Sequence, residues 1–490
     1  MLNSMMSSCL CMLFLLLTSI ALVCVQAIAQ TSPLDDTLTS LGLVENYEEI
    51  LKEIDVALVW SAHQIGSPDL ITSDEFQYVA YYDIDRYLTV ASRQLGSENW
   101  TRYVFPVQMG WATGGHARLS LALDRDGYIH IASYRRSLLQ GPPTPPEKIY
   151  YRSKNSHDIA EFERLAMISD DEAPGYPTFI TGPDDELYFT YRQGASGRGD
   201  QIFNVYNHNA RTWERLYDTP LFDGRGRMNA YGGPRLGPDG IWHATWVWRD
   251  TPDNATNHSV SYARSRDMRN WETADGSPVN LPITSETEGV IVDPAGPGSG
   301  ISNMTSGGLG WDSQNRTIRT YHKFDKDGNS QVFNARFEDG HWNIVQATVW
   351  NFRWNYEGTG ALPSVIRIGN VSIGESGTLE LVVWSRHHGD ELIILDENSL
   401  KPIKRTKPED MPEWKEEMLV PKLDFMVEPN PELLRDGGPM EVTLIEDMGE
   451  TVHEEVKYIL RWEHAGRNRD RPVPEPWPEP TMLRVYKIAN

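Results

Sequence analysis

Gly237-Pro-Asp-Gly-Ile-Trp-His-Ala-Thr-Trp-Val-Trp-Arg249 joins a tight-turn signal directly to a run of aromatic and β-branched residues. Asp and Gly supply the side-chain-to-backbone bonds and positive φ angles that such a turn needs. The residues that follow suit the pleated, half-buried surface of a sheet. The pairing recurs: Asp124-Arg-Asp-Gly leads into Tyr128-Ile-His-Ile-Ala-Ser-Tyr-Arg, and Gly182-Pro-Asp-Asp into Leu187-Tyr-Phe-Thr-Tyr-Arg. Tyr87-Leu-Thr-Val-Ala-Ser-Arg, Thr317-Ile-Arg-Thr-Tyr-His, Leu379-Glu-Leu-Val-Val-Trp-Ser-Arg and Tyr458-Ile-Leu-Arg-Trp-Glu-His bring the set to seven. Several are followed by a Trp in a polar setting: Asn99-Trp, Thr212-Trp, Asn270-Trp and His341-Trp. A strand unit repeated roughly every 40 to 80 residues predicts a β-propeller of four-stranded sheets. The expected fold is therefore all-β, a seven-bladed β-propeller in a single domain. The repeated segments read as inner strands whose ends reach a central channel, where a site is to be sought.

Outside this pattern, an apolar run from Met12 to Val25 ends in Ala27-Ile-Ala-Gln, which fits a signal peptide over residues 1–29. No Lys or Arg precedes the run, so an uncleaved anchor stays open as the alternative. Residues 30–73 read as an N-terminal lead-in, with a short helix over 47–54, and residues 74–490 as the propeller domain. No later segment is apolar and long enough to span a bilayer, so the expectation is a secreted, extracellular protein with no membrane partner once the leader is cleaved. Its last strand, Met482-Leu-Arg-Val-Tyr-Lys-Ile, could close the ring by pairing with N-terminal residues.

All three cysteines (Cys9, Cys11, Cys24) lie in the leader, which leaves the mature chain without a disulfide. Six Asn-x-Ser/Thr sequons, at Asn99, Asn254, Asn257, Asn303, Asn315 and Asn370, suggest a eukaryotic secretory route and surface glycans. The net charge of −24 disfavours nucleic acid and anionic membranes. An acidic polysaccharide is repelled at long range too, so any site for one must concentrate its basic residues. Residues 282–308, rich in Gly, Pro and Ser, read as a long loop over one face. Residues 401–439, rich in Pro and Glu, read as an outer wrap.

The densest polar cluster runs from Gly114 to Arg249. It holds Gly115-His116, His130, Tyr134-Arg-Arg136, Gly175-Tyr176-Pro and Tyr191-Arg192-Gln-Gly-Ala-Ser-Gly-Arg-Gly199, then Asn229-Ala-Tyr231 and His243-Ala-Thr-Trp246-Val-Trp-Arg249. Arginine at the same place in several blades (Arg136, Arg192, Arg249, Arg386) would make a cationic ring suited to carboxylates, although each could equally pair with the abundant acidic side chains. His130, flanked by Ile129 and Ile131, reads first as packing. Arg136, His130, Asn229, Tyr231, His243, Trp246, Arg249 and His322 are carried as substrate-binding candidates.

Gly175-Tyr-Pro-x-Phe, Tyr191-Arg-x-Gly-x-Ser-Gly-x-Gly199, Asn229-Ala-Tyr and Gly240-x-x-His-x-x-Trp-x-Trp-Arg249 together resemble the β-propeller polysaccharide lyases related to neuraminidase-repeat proteins, the ulvan lyases and fungal rhamnose–glucuronate lyases. The resemblance covers residues 110–275 well and the remainder through blade pattern. It implies β-elimination at a rhamnose–glucuronate linkage, with Tyr176 as base and acid, Arg192 neutralising the uronate and His116 assisting. Arg136 stands where some ulvan lyases carry a second histidine, which argues against a two-histidine mechanism. The substrate implied is an acidic polysaccharide of plant-gum, arabinogalactan or ulvan type, and a monomer is expected.

No cofactor is required by this chemistry. Asp325-Lys-Asp-Gly-Asn329 resembles part of a calcium loop, which leaves room for a structural calcium, yet without a closing Glu it reads as a hairpin turn. Two other functions stay open. A sialidase-like or arabinanase-like hydrolase would need a carboxylate acid/base pair or an Asp-assisted tyrosine, for which Asp250 is the only plausible acid. A non-catalytic sugar-binding propeller would keep the arginines and aromatics and tolerate loss of Tyr176.

Overall fold

The computed structural model describes residues 50–61, 66–109, 119–135, 147–167, 175–303, 308–360, 362, 364–374, 377–406, 434–435, 438–449, 456–465 and 477–489. Among them there is no α-helix. The strands form seven antiparallel sheets of four to six strands and one two-stranded pair. Sheet one runs Asp69–Thr72, Phe76–Tyr82, Tyr87–Gln94, Thr101–Gln108, and sheet two Ser120–Leu123, Ile129–Arg135, Glu147–Ser153, Phe162–Arg164. Sheet three is Gly175–Thr181, Leu187–Ala195, Arg198–Asn207, Thr212–Arg215. Sheet four begins Asn229–Leu236, Trp242–Arg249, Asn257–Ser265, Trp271–Glu272. Sheet five is Leu309–Trp311, Thr317–Phe324, Ser330–Glu338, His341–Gln346, and sheet six is built on Ile366–Ile368, Thr378–Ser385, Gly389–Asp396, Pro402–Thr406.

Sheet seven joins the two ends of the described chain. Glu441–Glu446, Val456–His464 and Thr481–Ala489 are followed in space by Ile50–Val59, paired from Ile50 opposite Ile488 to Val59 opposite Thr481. The expected pairing of the last strand with N-terminal residues is thus present. The helix expected over 47–54 is not, because its described part, from Ile50 on, is strand. Ile54 and Val56 are buried with the two-residue period of a strand, and a bulge between Asp55 and Ala57 shifts the next buried position to Val59. The helix expectation rests on Leu51 and Ile54, three residues apart, but Leu51 is exposed and the two share no buried face. Sheet strands therefore begin at Ile50 and again at Asp69, ahead of the boundary at residue 74 expected from sequence.

The repeated sequence segments are not the first strands. Six of them are second strands of their sheets, and the seventh, starting at Tyr87, is a third strand. Their apolar richness has a physical cause: a second strand is covered on both faces by neighbouring sheets, and all eight residues of Trp242–Arg249 are buried. The Asp-rich turns are the connections from first to second strands. In the turn at 124–128 Asp124 accepts from the backbone N–H groups of Asp126 and Tyr128, and in the turn at 237–241 Asp239 accepts from that of Ile241. Asp325 accepts likewise from Asp327 and Asn329, in the turn from second to third strand of sheet five. The stretch read as a partial calcium loop is thus a hairpin turn. The Trp signals mark the starts of fourth strands.

Packing follows chain order. One core cluster joins Tyr78, Val90 and Phe105 of sheet one to Leu121, Ile131 and Tyr151 of sheet two. Others join sheets two and three, three and four, four and five, five and six, and seven and one. The first strands lie side by side, tied by side chains that accept from a neighbouring backbone: Asp69 from Leu121 at 3.0 Å, Ser120 from Phe179 at 3.0 Å and Asp447 from Thr72 at 2.8 Å. Between 282 and 303 the chain is mostly irregular, as expected, apart from the short strand Ile291–Asp293 added to sheet four.

Candidate active site

Gly175 pairs with Arg192, and Asn229 with Arg249. In sheets three and four the first strand therefore begins beside the end of the second, and this edge carries the site. A groove of about 690 Å³ opens there, lined by Tyr176, Thr190, Arg192, Tyr231, Arg235 and Asn303 among others. Tyr176 owes its position to backbone irregularity. The register slips between Gly175 and Thr178, Pro177 has no N–H to offer the ladder, and Tyr176 itself adopts φ +59°. This left-handed bulge sets the Tyr176 ring under the Arg192 guanidinium, with Cζ 4.9 Å from the ring centroid.

Arg192 donates to the Tyr231 hydroxyl at 3.4 Å, and Arg249 donates to the same oxygen at 3.2 Å. Ser196 bonds it at 2.9 Å. Ser196 is held there by Gly197, whose φ is +78° and whose missing Cβ would lie 2.6 Å from the Thr251 backbone. The Gly197 N–H donates to Asn229 Oδ1, which locks the hairpin onto sheet four. Burial pushes the Tyr231 phenol up, but the Arg249 and Arg192 charges outweigh it and hold its pKa below the usual 10.0.

Arg249 is itself caged by neutral groups. It donates to Asn257 Oδ1 at 2.9 Å, to Asn303 Oδ1 at 3.2 Å and to Asn254 Oδ1. Neither Arg192 nor Arg249 has a carboxylate partner among the described residues, and the buried Arg192 Nε has no acceptor. In an acidic protein, a guanidinium without a carboxylate partner in the groove, with a second one buried behind it, makes a site for an anion.

The structure thus brings Tyr176, Arg192 and Tyr231 together at the groove, with Arg249 and Asn229 behind them. His116 and Arg136 lie outside the described residues. Four other expected contacts are corrected, because side chains of second strands point between sheets. Trp246 is fully buried against Phe222, with centroids 4.4 Å apart. His130 sits between Asp124 Oδ2 at 3.2 Å and the Tyr150 hydroxyl at 2.8 Å, and His243 between Asp239 Oδ1 at 3.1 Å and the Tyr262 hydroxyl at 2.7 Å. Both are staples that tie a first turn to a third strand, and burial lowers the pKa of each. His322 packs against Trp354 and Tyr356, and burial pushes its pKa down to about 3. Asn229, also fully buried, supports the hairpin and does not face the groove. Arg386 is exposed and is not among the residues lining the groove. Sequence reading missed Ser196, although the glycines around it were a signal, and it took Asn254, Asn257 and Asn303 for glycan acceptors alone.

The model of the BNR repeat-containing family matches residues 76–350, more than half of the chain. The protein belongs to the BNR repeat-containing family. Among solved structures, this BNR-repeat chain is similar to the polysaccharide lyase Uly1 at 13% identity and a TM-score of 0.53, over 90% of this chain and 99% of that one. It is also similar to an ulvan lyase of family PL25, at 15% identity and a TM-score of 0.50, over 89% and 94% of the two chains. That lyase has also been solved bound to -[GlcA(1-4)Rha3S]-, and this form matches at 14% identity and a TM-score of 0.50. At such identities the likeness is one of fold. No curated protein matches the chain. No helix among the described residues is long and apolar enough to cross a membrane, and residues 1–29, with their expected leader, lie outside those described.

Proposed function

We propose that this protein is a secreted polysaccharide lyase, a seven-bladed propeller that cleaves rhamnose–glucuronate linkages of an acidic polysaccharide by β-elimination. The observation that carries this reading is the pair of guanidiniums, Arg192 and Arg249, which lack carboxylate partners among the described residues and converge on one phenol beside Tyr176. A uronate carboxylate bound by Arg192 has its charge neutralised as the α-proton leaves, which stabilises the dianionic enolate. Tyr176 takes that proton and returns one to the departing glycosidic oxygen, leaving an unsaturated uronate. His116 assists. Tyr231, held by both arginines, keeps Arg192 aimed into the groove. The glucuronate–rhamnose unit held by the structurally similar ulvan lyase supports the choice of substrate.

Hydrolysis is disfavoured on a specific observation. No carboxylate is among the described residues lining the groove, and Asp250, the one acidic candidate, pairs with His258 at 3.0 Å. The test is ultraviolet absorbance of the conjugated uronate in protein mixed with ulvan and, separately, with gum arabic. Growth of that band, abolished by Tyr176→Phe, is the expected result. Sugar release without the band would establish hydrolysis, and loss of activity in Tyr231→Phe but not Tyr176→Phe would exchange the roles of the two tyrosines. Binding without turnover, unchanged in Tyr176→Phe, would leave a sugar-binding propeller.

A further inference from the structure

The six sequons fall into two groups that the sequence does not separate. Asn99, Asn315 and Asn370 are exposed. Asn315 and Asn370 lie in the connections between first and second strands of sheets five and six, and Asn99 between the third and fourth strands of sheet one. In an antiparallel sheet both kinds of connection fall at the same edge, opposite the one where first strands begin and second strands end. Asn254, Asn257 and Asn303 lie at that groove edge, in the connections from second to third strand and from sheet four to sheet five.

The groove-edge amides are already committed. Asn254 Nδ2 donates to the Gly358 carbonyl at 2.6 Å and the Gly360 carbonyl at 3.2 Å, while its oxygen accepts from Arg249. Asn257, 1% exposed, donates to the Ile301 carbonyl at 2.9 Å and accepts from Arg249. Asn303 lines the groove and accepts from Arg249 and from the Tyr356 hydroxyl at 2.7 Å. A sugar on the Asn254 or Asn257 nitrogen would have to displace its bond to a backbone carbonyl, and one on Asn303, whose oxygen is fixed by Arg249 and Tyr356, would stand at the groove wall itself.

We propose that the protein is an N-glycoprotein whose glycans are confined to Asn99, Asn315 and Asn370, so that the groove edge stays bare for a polymeric substrate. The amide nitrogen bonds to C1 of an oligosaccharide, the bond from that carbon to the phosphate of a lipid-pyrophosphate donor breaks, and the amide proton leaves with the phosphate. Modification precedes folding, so chains glycosylated at Asn254, Asn257 or Asn303 fail to reach the folded state. The mapping below does not depend on lyase activity, so this inference and the proposed reaction stand or fall separately.

The test is peptide mapping by mass spectrometry of the full chain secreted from a eukaryotic host, on the folded fraction from size exclusion, with and without enzymatic release of N-glycans. Glycopeptides are expected at Asn99, Asn315 and Asn370, with unmodified peptides at the other three sites. A glycan on Asn254, Asn257 or Asn303 in the folded fraction overturns the inference, as does a bare peptide at all three exposed sites. The triple variant Asn99→Gln, Asn315→Gly, Asn370→Gln should fold and lose every glycan. Glycine is chosen at 315 because its φ is +57°. A residual glycan on that variant would also overturn the inference.

Discussion

Replacing Arg249 with Met should destabilise the protein by about 2–6 kcal/mol, although the new side chain is apolar, similar in length and placed where only 5% of the residue is exposed. The estimate follows from the acceptors left behind. Asn254 and Asn257 each turn their oxygen to Arg249 and their nitrogen to backbone carbonyls, so neither amide can flip without losing another bond. Each stranded oxygen costs about 1–3 kcal/mol. Asn303 loses less, because it keeps donors from Tyr356 and from Asn257 Nδ2. The Tyr231 phenol gives a second, independent readout. Its folded pKa is depressed, so the stability linked to it is fully present only above pH 10 and is lost as pH falls through the folded value. Urea unfolding at pH 7 measures the loss, and a difference titration against Tyr231→Phe follows the phenol. Without Arg249 the largest opposing charge is gone, burial dominates, and the Tyr231 pKa should rise. A loss under about 1 kcal/mol together with an unmoved phenol would refute the cage as described.

Tyr176→Phe should lower kcat by roughly 10²–10⁴-fold with little change in substrate affinity, measured by uronate absorbance and by calorimetric binding. Arg192→Met should lower kcat/KM by at least about 10²-fold and weaken binding as well, because the same guanidinium holds the ground-state carboxylate and the enolate. Below pH 6.5 unfolded His322 takes up a proton that the folded site refuses until about pH 3, so its contribution to stability falls by about 1.4 kcal/mol per pH unit across that window. Denaturation curves of the protein and of His322→Phe should therefore diverge between those limits, and parallel curves would contradict the burial assigned to His322. Deleting residues 1–59 should abolish folding as followed by near-ultraviolet circular dichroism, since it strips the fourth strand from sheet seven and removes Ile54, Val56 and Val59 from the core shared with sheet one.

How much of this was legible in sequence depended on whether a signal was local. The Asp-rich turns are local, since a carboxylate can bond the backbone a few residues on wherever it lies, and the hairpins expected at 124–127 and 237–240 are present. The rank of a strand within its sheet is not local. Trp242–Arg249 reads as the most conspicuous strand because both its faces are covered, and that same coverage removes Trp246 and His243 from any channel. The described part of 47–54 was misread because the partner of its strand lies more than 400 residues away, and the Leu51–Ile54 spacing is not a buried stripe.

The candidate site follows the same division. Tyr176 and Arg192 were found through a motif whose glycines and proline force a left-handed bulge and a tight hairpin, features written in a few adjacent residues. The Arg249 cage was hidden because its parts come from the 254–257 turn, the 303 loop and Tyr356, each of which has an ordinary local meaning. A sequon states only that an amide could accept a sugar. Whether it does depends on what else the amide is already holding, and here Asn254, Asn257 and Asn303 hold Arg249, the arginine behind the groove that bonds Tyr231. Substituting them to remove glycans would therefore damage the site itself, whereas the same change at Asn99 or Asn370 should leave it intact.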